Sequence, residues 1–95
     1  MSATKNKVEC IVRGRVQLVM FRDFTKRAAD RFGIMGTVRN SEDGSVFVVA
    51  EGEEKALAEF SSRLREGSFL SRVDSVETKE STPTGEYADF KILYE

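Results

Sequence analysis

Ninety-five residues that are 40% hydrophobic and 33% charged suit one soluble globular domain and exclude a disordered chain. The net charge of −1 predicts no polyanionic partner, and the absence of histidine removes the commonest metal ligand and the commonest general base together. A single cysteine excludes an internal disulfide.

Met1 to Lys7 reads as a polar tail ahead of one domain over residues 8–95. Val8 to Arg13 is a predicted strand, with Val8, Cys10 and Val12 alternating toward one face and Cys10 expected as a buried structural thiol. Gly14 to Met20 is a loop that leads into a helix over Phe21 to Phe32. Phe21, Phe24, Ala28 and Phe32 recur there at helical spacing, Asp23 suits the positive end, and Gly33 is a natural stop. Gly36 to Ser41 and Ser45 to Glu51 read as two strands joined by a turn at Asp43-Gly44. A second helix follows from Glu53 to Arg65, with Leu57, Phe60 and Leu64 on one side and Gly67 as its stop. Ser71 to Lys79 is a strand in which Val73 and Val76 break alternation and mark a bulge. Pro83 and Gly85 punctuate a loop before a last strand over Ala88 to Tyr94. The order is β-α-β-β-α-β with an added C-terminal strand. It predicts an α+β sandwich of the ferredoxin-like kind, an antiparallel sheet with both helices on one face. That architecture hosts many functions and decides no chemistry.

The lone cysteine fits a reducing cytoplasm best, and with no stretch near the ~20 apolar residues of a membrane span and no signal-peptide pattern, no membrane partner is expected. The charge is unevenly spread. Residues 1–40 carry nine Lys/Arg against three Asp/Glu, and residues 41–95 carry six against thirteen. The basic half can hold an anion; the bland alternative is chance clustering on solvated faces.

The informative segment runs from Val12 to Arg22, from a strand end through a short loop into a helix start. Such a start offers unpaired N–H groups and the positive end of the helix dipole, a ready oxyanion site. Arg22 stands in the first turn, where its guanidinium can either grip the same anion in two-pronged fashion or merely solvate the helix end. On position alone, Asn40 reads as a strand-end residue satisfying a turn.

Gly14, Val16, Gln17, Val19, Phe21 and Arg22 follow the pattern Gly-x-Val-Gln-Gly-Val-x-Phe-Arg. Gly36, Val38, Arg39, Asn40, Gly44, Val46 and Gly52 supply a second motif at the matching separation. In both, the chain resembles the acylphosphatase family, and with Ser71-Arg72-Val73 the resemblance spans essentially the whole sequence. It implies metal-free hydrolysis of carboxyl-phosphate anhydrides, with no cofactor. Arg22 would bind the phosphate, Asn40 would orient the attacking water, and backbone amides of Arg15, Val16, Gln17, Leu18, Val19, Met20 and Phe21 would form the cradle. The implied ligands are a small acyl phosphate and inorganic phosphate, with a monomer as the default and no nucleic acid. The chemistry is consistent with the composition. An acyl phosphate expels a carboxylate, already a weak base, so no general acid is needed and the missing histidine is unsurprising.

Two positions depart from the family pattern. Leu18 stands where the family has glycine, and Thr37 replaces an aromatic. If position 18 requires positive φ, leucine is strained there; if φ is negative, the loop is displaced; its side chain could also narrow the mouth of the site. The alternative reading is a weak or inactive anion-binding module of the same architecture. A nucleic-acid sheet is a third, for which Phe47 is the one obvious stacking candidate.

Overall fold

A computed structural model describes residues 4–94. Its elements, in chain order, are β1 (Lys5–Arg15), α1 (Phe21–Phe32), β2 (Met35–Asn40), β3 (Val46–Glu53), α2 (Glu54–Glu66), β4 (Arg72–Ser81) and β5 (Phe90–Leu93). The five strands form one sheet in the order β4-β1-β3-β2-β5. Strand β1 starts inside the expected polar tail, because Lys5 and Lys7 stand opposite Glu53 and Glu51 of β3, where opposite charges favour pairing. Of that tail, residues 1–3 lie outside the described part.

Alternation sorts the sheet into two faces. Val8, Cys10 and Val12 of β1, Val38 of β2, and Val46, Val48 and Ala50 of β3 are buried on the helix side. Helix α1 lies over β2 and β5, α2 lies over β1, β3 and β4, and the helices touch each other. They close the core with Phe21, Ala28 and Ala29 from one and Leu57, Phe60 and Leu64 from the other. Each large apolar side chain removed from water there contributes roughly 1.5–3 kcal/mol. Phe24 and Phe32, which share the helical spacing of Phe21 and Ala28, pack only at the core's margin. Thr25 takes a fully buried place instead, its hydroxyl donating to the Phe21 carbonyl at 2.9 Å. Helix α1 stops at Gly33, which adopts φ 70°.

The bulge expected near Val73 is present. Arg13 pairs with Ser75 and Gly14 with Val73, which leaves Asp74 as the extra residue and lets Val73 and Val76 both reach the core. Gly14 is dictated by this kink: its φ is 133°, and a Cβ there would strike the Arg72 carbonyl.

One expectation is corrected. The sheet is mixed, because β5 runs parallel to β2, Gly36 opposite Phe90 through Arg39 opposite Leu93. The cause is the connection over residues 82–89. It leaves β4 on one edge, crosses the end of the sheet where β3 finishes, and enters beside the start of β2, so the next strand must run in the direction of β2. Glu51 holds the crossing in place. Its buried carboxylate accepts hydrogen bonds from the Thr84 amide (2.9 Å), the Thr84 hydroxyl (2.7 Å) and the Gly85 amide (2.9 Å). Phe90 then packs edge-on against Phe60, with centroids 6.0 Å apart.

Candidate active site

The far end of the sheet, where β1, β2 and β5 all finish, gathers the first motif and the Asn40 end of the second, whereas Gly36 and Gly52 lie toward the other end. Arg15 still belongs to β1, in register with Arg72, so the loop itself runs from Val16 to Met20. Val16 and Phe21 anchor its two ends, both with side chains in the core. Between them Leu18 adopts φ 63° and Met20 φ 61°, while Val19 does not share that sign. Alternation of this kind turns neighbouring N–H groups toward one concavity, the usual backbone nest for an anion. No hydrogen bond among the described residues uses the N–H groups of Gln17 through Phe21. The first helical bond runs from the Phe24 amide to the Met20 carbonyl, so the helix start adds further free donors.

Leu18 therefore realises the strained possibility. Its backbone is left-handed, at a cost on the order of 1 kcal/mol for a residue with a Cβ. Its side chain is 99% exposed and projects into solvent, so it does not narrow the site. Met20 is left-handed as well, and nothing in the sequence pattern marked it.

Gln17 has a part that sequence reading missed. Its side-chain amide donates to the carbonyls of Ser41 and Ser45, both at 2.8 Å, and so ties the loop to the turn between β2 and β3. That turn carries Asn40, the last residue of β2, opposite Val46. The Asn40 Oδ1 is buried and has no hydrogen-bond partner among the described residues. Leaving a buried acceptor unpaired costs roughly 1–3 kcal/mol, so the position calls for a donor. Asp43 stiffens the turn by accepting from the Ser45 hydroxyl at 2.6 Å and amide at 3.0 Å. Those bonds, with Arg13 alongside, hold its carboxyl down at about 2.

Arg22 is half-buried in the first turn of α1. Its guanidinium donates to the Leu93 carbonyl at 3.3 Å and lies 4.8 Å from the centre of the Tyr94 ring. The end of β5 thus fixes an otherwise flexible cation. Sequence spacing gave no sign of this contact across 71 positions.

The other basic residues go elsewhere. Arg13 bridges Asp43 and Glu77, and Arg39 stacks over Phe47 at 4.9 Å on the opposite face of the sheet. Arg13 and Arg39 thus point away from the loop, and Phe47 is covered by Arg39 where a base would have to stack. Thr37 belongs to the same outer face, away from the loop.

The Acylphosphatase family model matches residues 8–92. The chain belongs to the acylphosphatase family. The acylphosphatase of Thermotoga petrophila is 46% identical over 94 residues, 99% of either chain. That of Dehalococcoides mccartyi is also 46% identical, over 92% of this chain and 97% of its own. The crystal structure of the acylphosphatase from Bacillus subtilis superposes with a TM-score of 0.90 at 38% identity, covering 94% of this chain and 99% of the other. Membership carries the activity: an acylphosphatase is an acid-anhydride hydrolase, and the described residues of this chain have the family's ferredoxin-like fold.

Proposed function

We propose that this acylphosphatase binds the phosphoryl group of a small acyl phosphate on the loop amides from Val16 to Phe21 and on Arg22, and that Asn40 orients the water that attacks it. The observation that carries the reading is the buried, unpaired Asn40 Oδ1, brought beside an unpaired amide loop by the two Gln17 bonds. An acceptor with no proton of its own suits a water O–H, and the loop donors suit phosphoryl oxygens.

In this reading the water oxygen bonds to phosphorus while the bond from phosphorus to the carboxylate oxygen breaks. The electron pair leaves on the carboxylate, and the water proton departs with the phosphate, whose second ionisation lies near neutrality. Charge in a loose transition state spreads over the phosphoryl oxygens, so Arg22 and the amides stabilise it without a general acid. Alignment of the water by Asn40 supplies the rest. A buried lone thiol, Cys10, supports a reducing cytoplasmic setting, and a site built wholly from one chain supports a monomer.

Two substitutions test the division of labour. Arg22→Ala should lower kcat/KM by ~100-fold or more and weaken competitive inhibition by inorganic phosphate, since a charge-assisted contact in such a site is worth roughly 3 kcal/mol. Asn40→Ala should lower kcat by ~100-fold while the phosphate inhibition constant stays unchanged. An Asn40→Ala enzyme with normal kcat and raised KM would show that Asn40 binds the anion and refute its assignment to the water.

A further inference from the structure

Beside the loop lies an open groove of about 510 Å³, walled by Val19, Met20 and Phe24 on one side and by Phe69 and Leu70 on the other. Its charged rim is self-neutralised, with Arg27 paired to Asp23 at 3.0 Å. Phe69 and Leu70 occupy the centre of a turn that is closed at both ends. The Ser68 amide donates to the Ser71 hydroxyl at 2.7 Å, and the Ser71 amide to the Ser68 carbonyl at 3.1 Å. Turn centres ordinarily carry glycine or small polar residues. Here a fully exposed phenylalanine and a leucine 57% exposed stand in their place. Across the groove, Met20 is 67% exposed while its backbone holds a left-handed conformation that disfavours any side chain. These apolar groups contribute little to the core, and the backbone at Met20 pays strain to display its side chain.

The groove is continuous with the proposed phosphate site, because Val19 and Met20 supply amides to one and side chains to the other. We propose that it receives the acyl group of the substrate, so that the enzyme favours acyl phosphates with apolar acyl chains over acetyl phosphate. This rests on the phosphate-site reading above. A phosphoryl group seated on the loop amides places its acyl carbon two bonds away, at the groove's edge. An alkyl chain extending from it would cover Met20, Phe69 and Leu70 and bury its own methylenes, whereas an acetyl group is too short to enter.

Straight-chain acyl phosphates test the idea, because acetate and hexanoate are leaving groups of similar basicity. Half-burial of four extra methylenes should raise kcat/KM for hexanoyl phosphate over acetyl phosphate by roughly tenfold. The Phe69→Ser/Leu70→Ser double variant should bring that ratio close to one and leave kcat/KM for acetyl phosphate unchanged. A wild-type ratio near one, or a ratio the double variant does not alter, overturns the proposal. So does a concentration-dependent dimer in sedimentation that the double variant abolishes with the ratio intact, since the groove would then serve a second copy. If the wild-type enzyme releases phosphate from neither acetyl phosphate nor hexanoyl phosphate, it is the phosphate-site reading that fails.

Discussion

Replacing Leu18 by glycine isolates the energy stored in the loop. The native φ of 63° lies in the left-handed region, which costs an L-residue about 1–2 kcal/mol and glycine almost nothing. Against that relief stands the greater freedom of glycine in the unfolded chain, about 0.4–1 kcal/mol. No packing term enters, because the leucine side chain is 99% exposed. The difference favours the glycine variant by about 0.5–1 kcal/mol, and for a domain of this size that raises Tm by about 3–5 °C. Thermal unfolding followed by circular dichroism, together with urea midpoints, measures it directly. Turnover of acetyl phosphate should stay within about twofold, since the loop already follows the path that glycine would take. A glycine variant destabilised by 0.5 kcal/mol or more would refute the reasoning, and would mean that the exposed leucine contributes something its accessibility does not reveal.

Gln17→Ala removes both bonds that hold the loop to the turn at Ser41 and Ser45. It should cost ~1–2 kcal/mol of stability and lower kcat/KM by about tenfold, read from urea unfolding and initial rates; unchanged rates would remove Gln17 from the positioning of the site. Glu51 governs a pH dependence far from the chemistry. Burial works to raise its carboxyl, but the Thr84 and Gly85 bonds prevail and lower it below the ordinary value. A group depressed in the folded state stabilises fully above its unfolded value of about 4.3, and that contribution fades as pH falls through the folded value. Glu51→Gln should therefore lower the urea midpoint at pH 7 and narrow the gap to wild type at pH 3, and a variant that tracks wild type at both pH values would show that Glu51 does not hold the crossing.

Legibility from sequence followed the range of the interactions involved. The hairpin at Asp43-Gly44 and the stop at Gly33 are set by neighbours a few residues apart, and the bulge of β4 against β1 shows locally as the broken alternation of Val73 and Val76; each stands where its residues place it. The loop from β1 into α1 was legible as a strand-to-helix connection for the same reason. The direction of β5 was not, because four residues carry no polarity of their own and the crossing pinned by Glu51 decides it. The left-handed turn at Met20 was equally silent, since methionine is not a residue that advertises positive φ. The partners of Arg22 and the side-chain role of Gln17 depend on residues 71 and 24 to 28 positions away.

The hold that β5 exerts on Arg22 also sets an order of events during synthesis. Arg22 is added to the growing chain 71 residues before Leu93. Chains grow at about 5–20 residues per second, so the guanidinium waits on the order of 4–14 seconds for the carbonyl that will orient it. The loop, Asn40 and Ser45 are all added early in that interval, whereas the arginine is not fixed until Leu93 follows. Until β5 docks, the nascent chain would carry the loop with a loose cation, and on the proposed role of Arg22 hydrolytic competence would arrive at the end of folding.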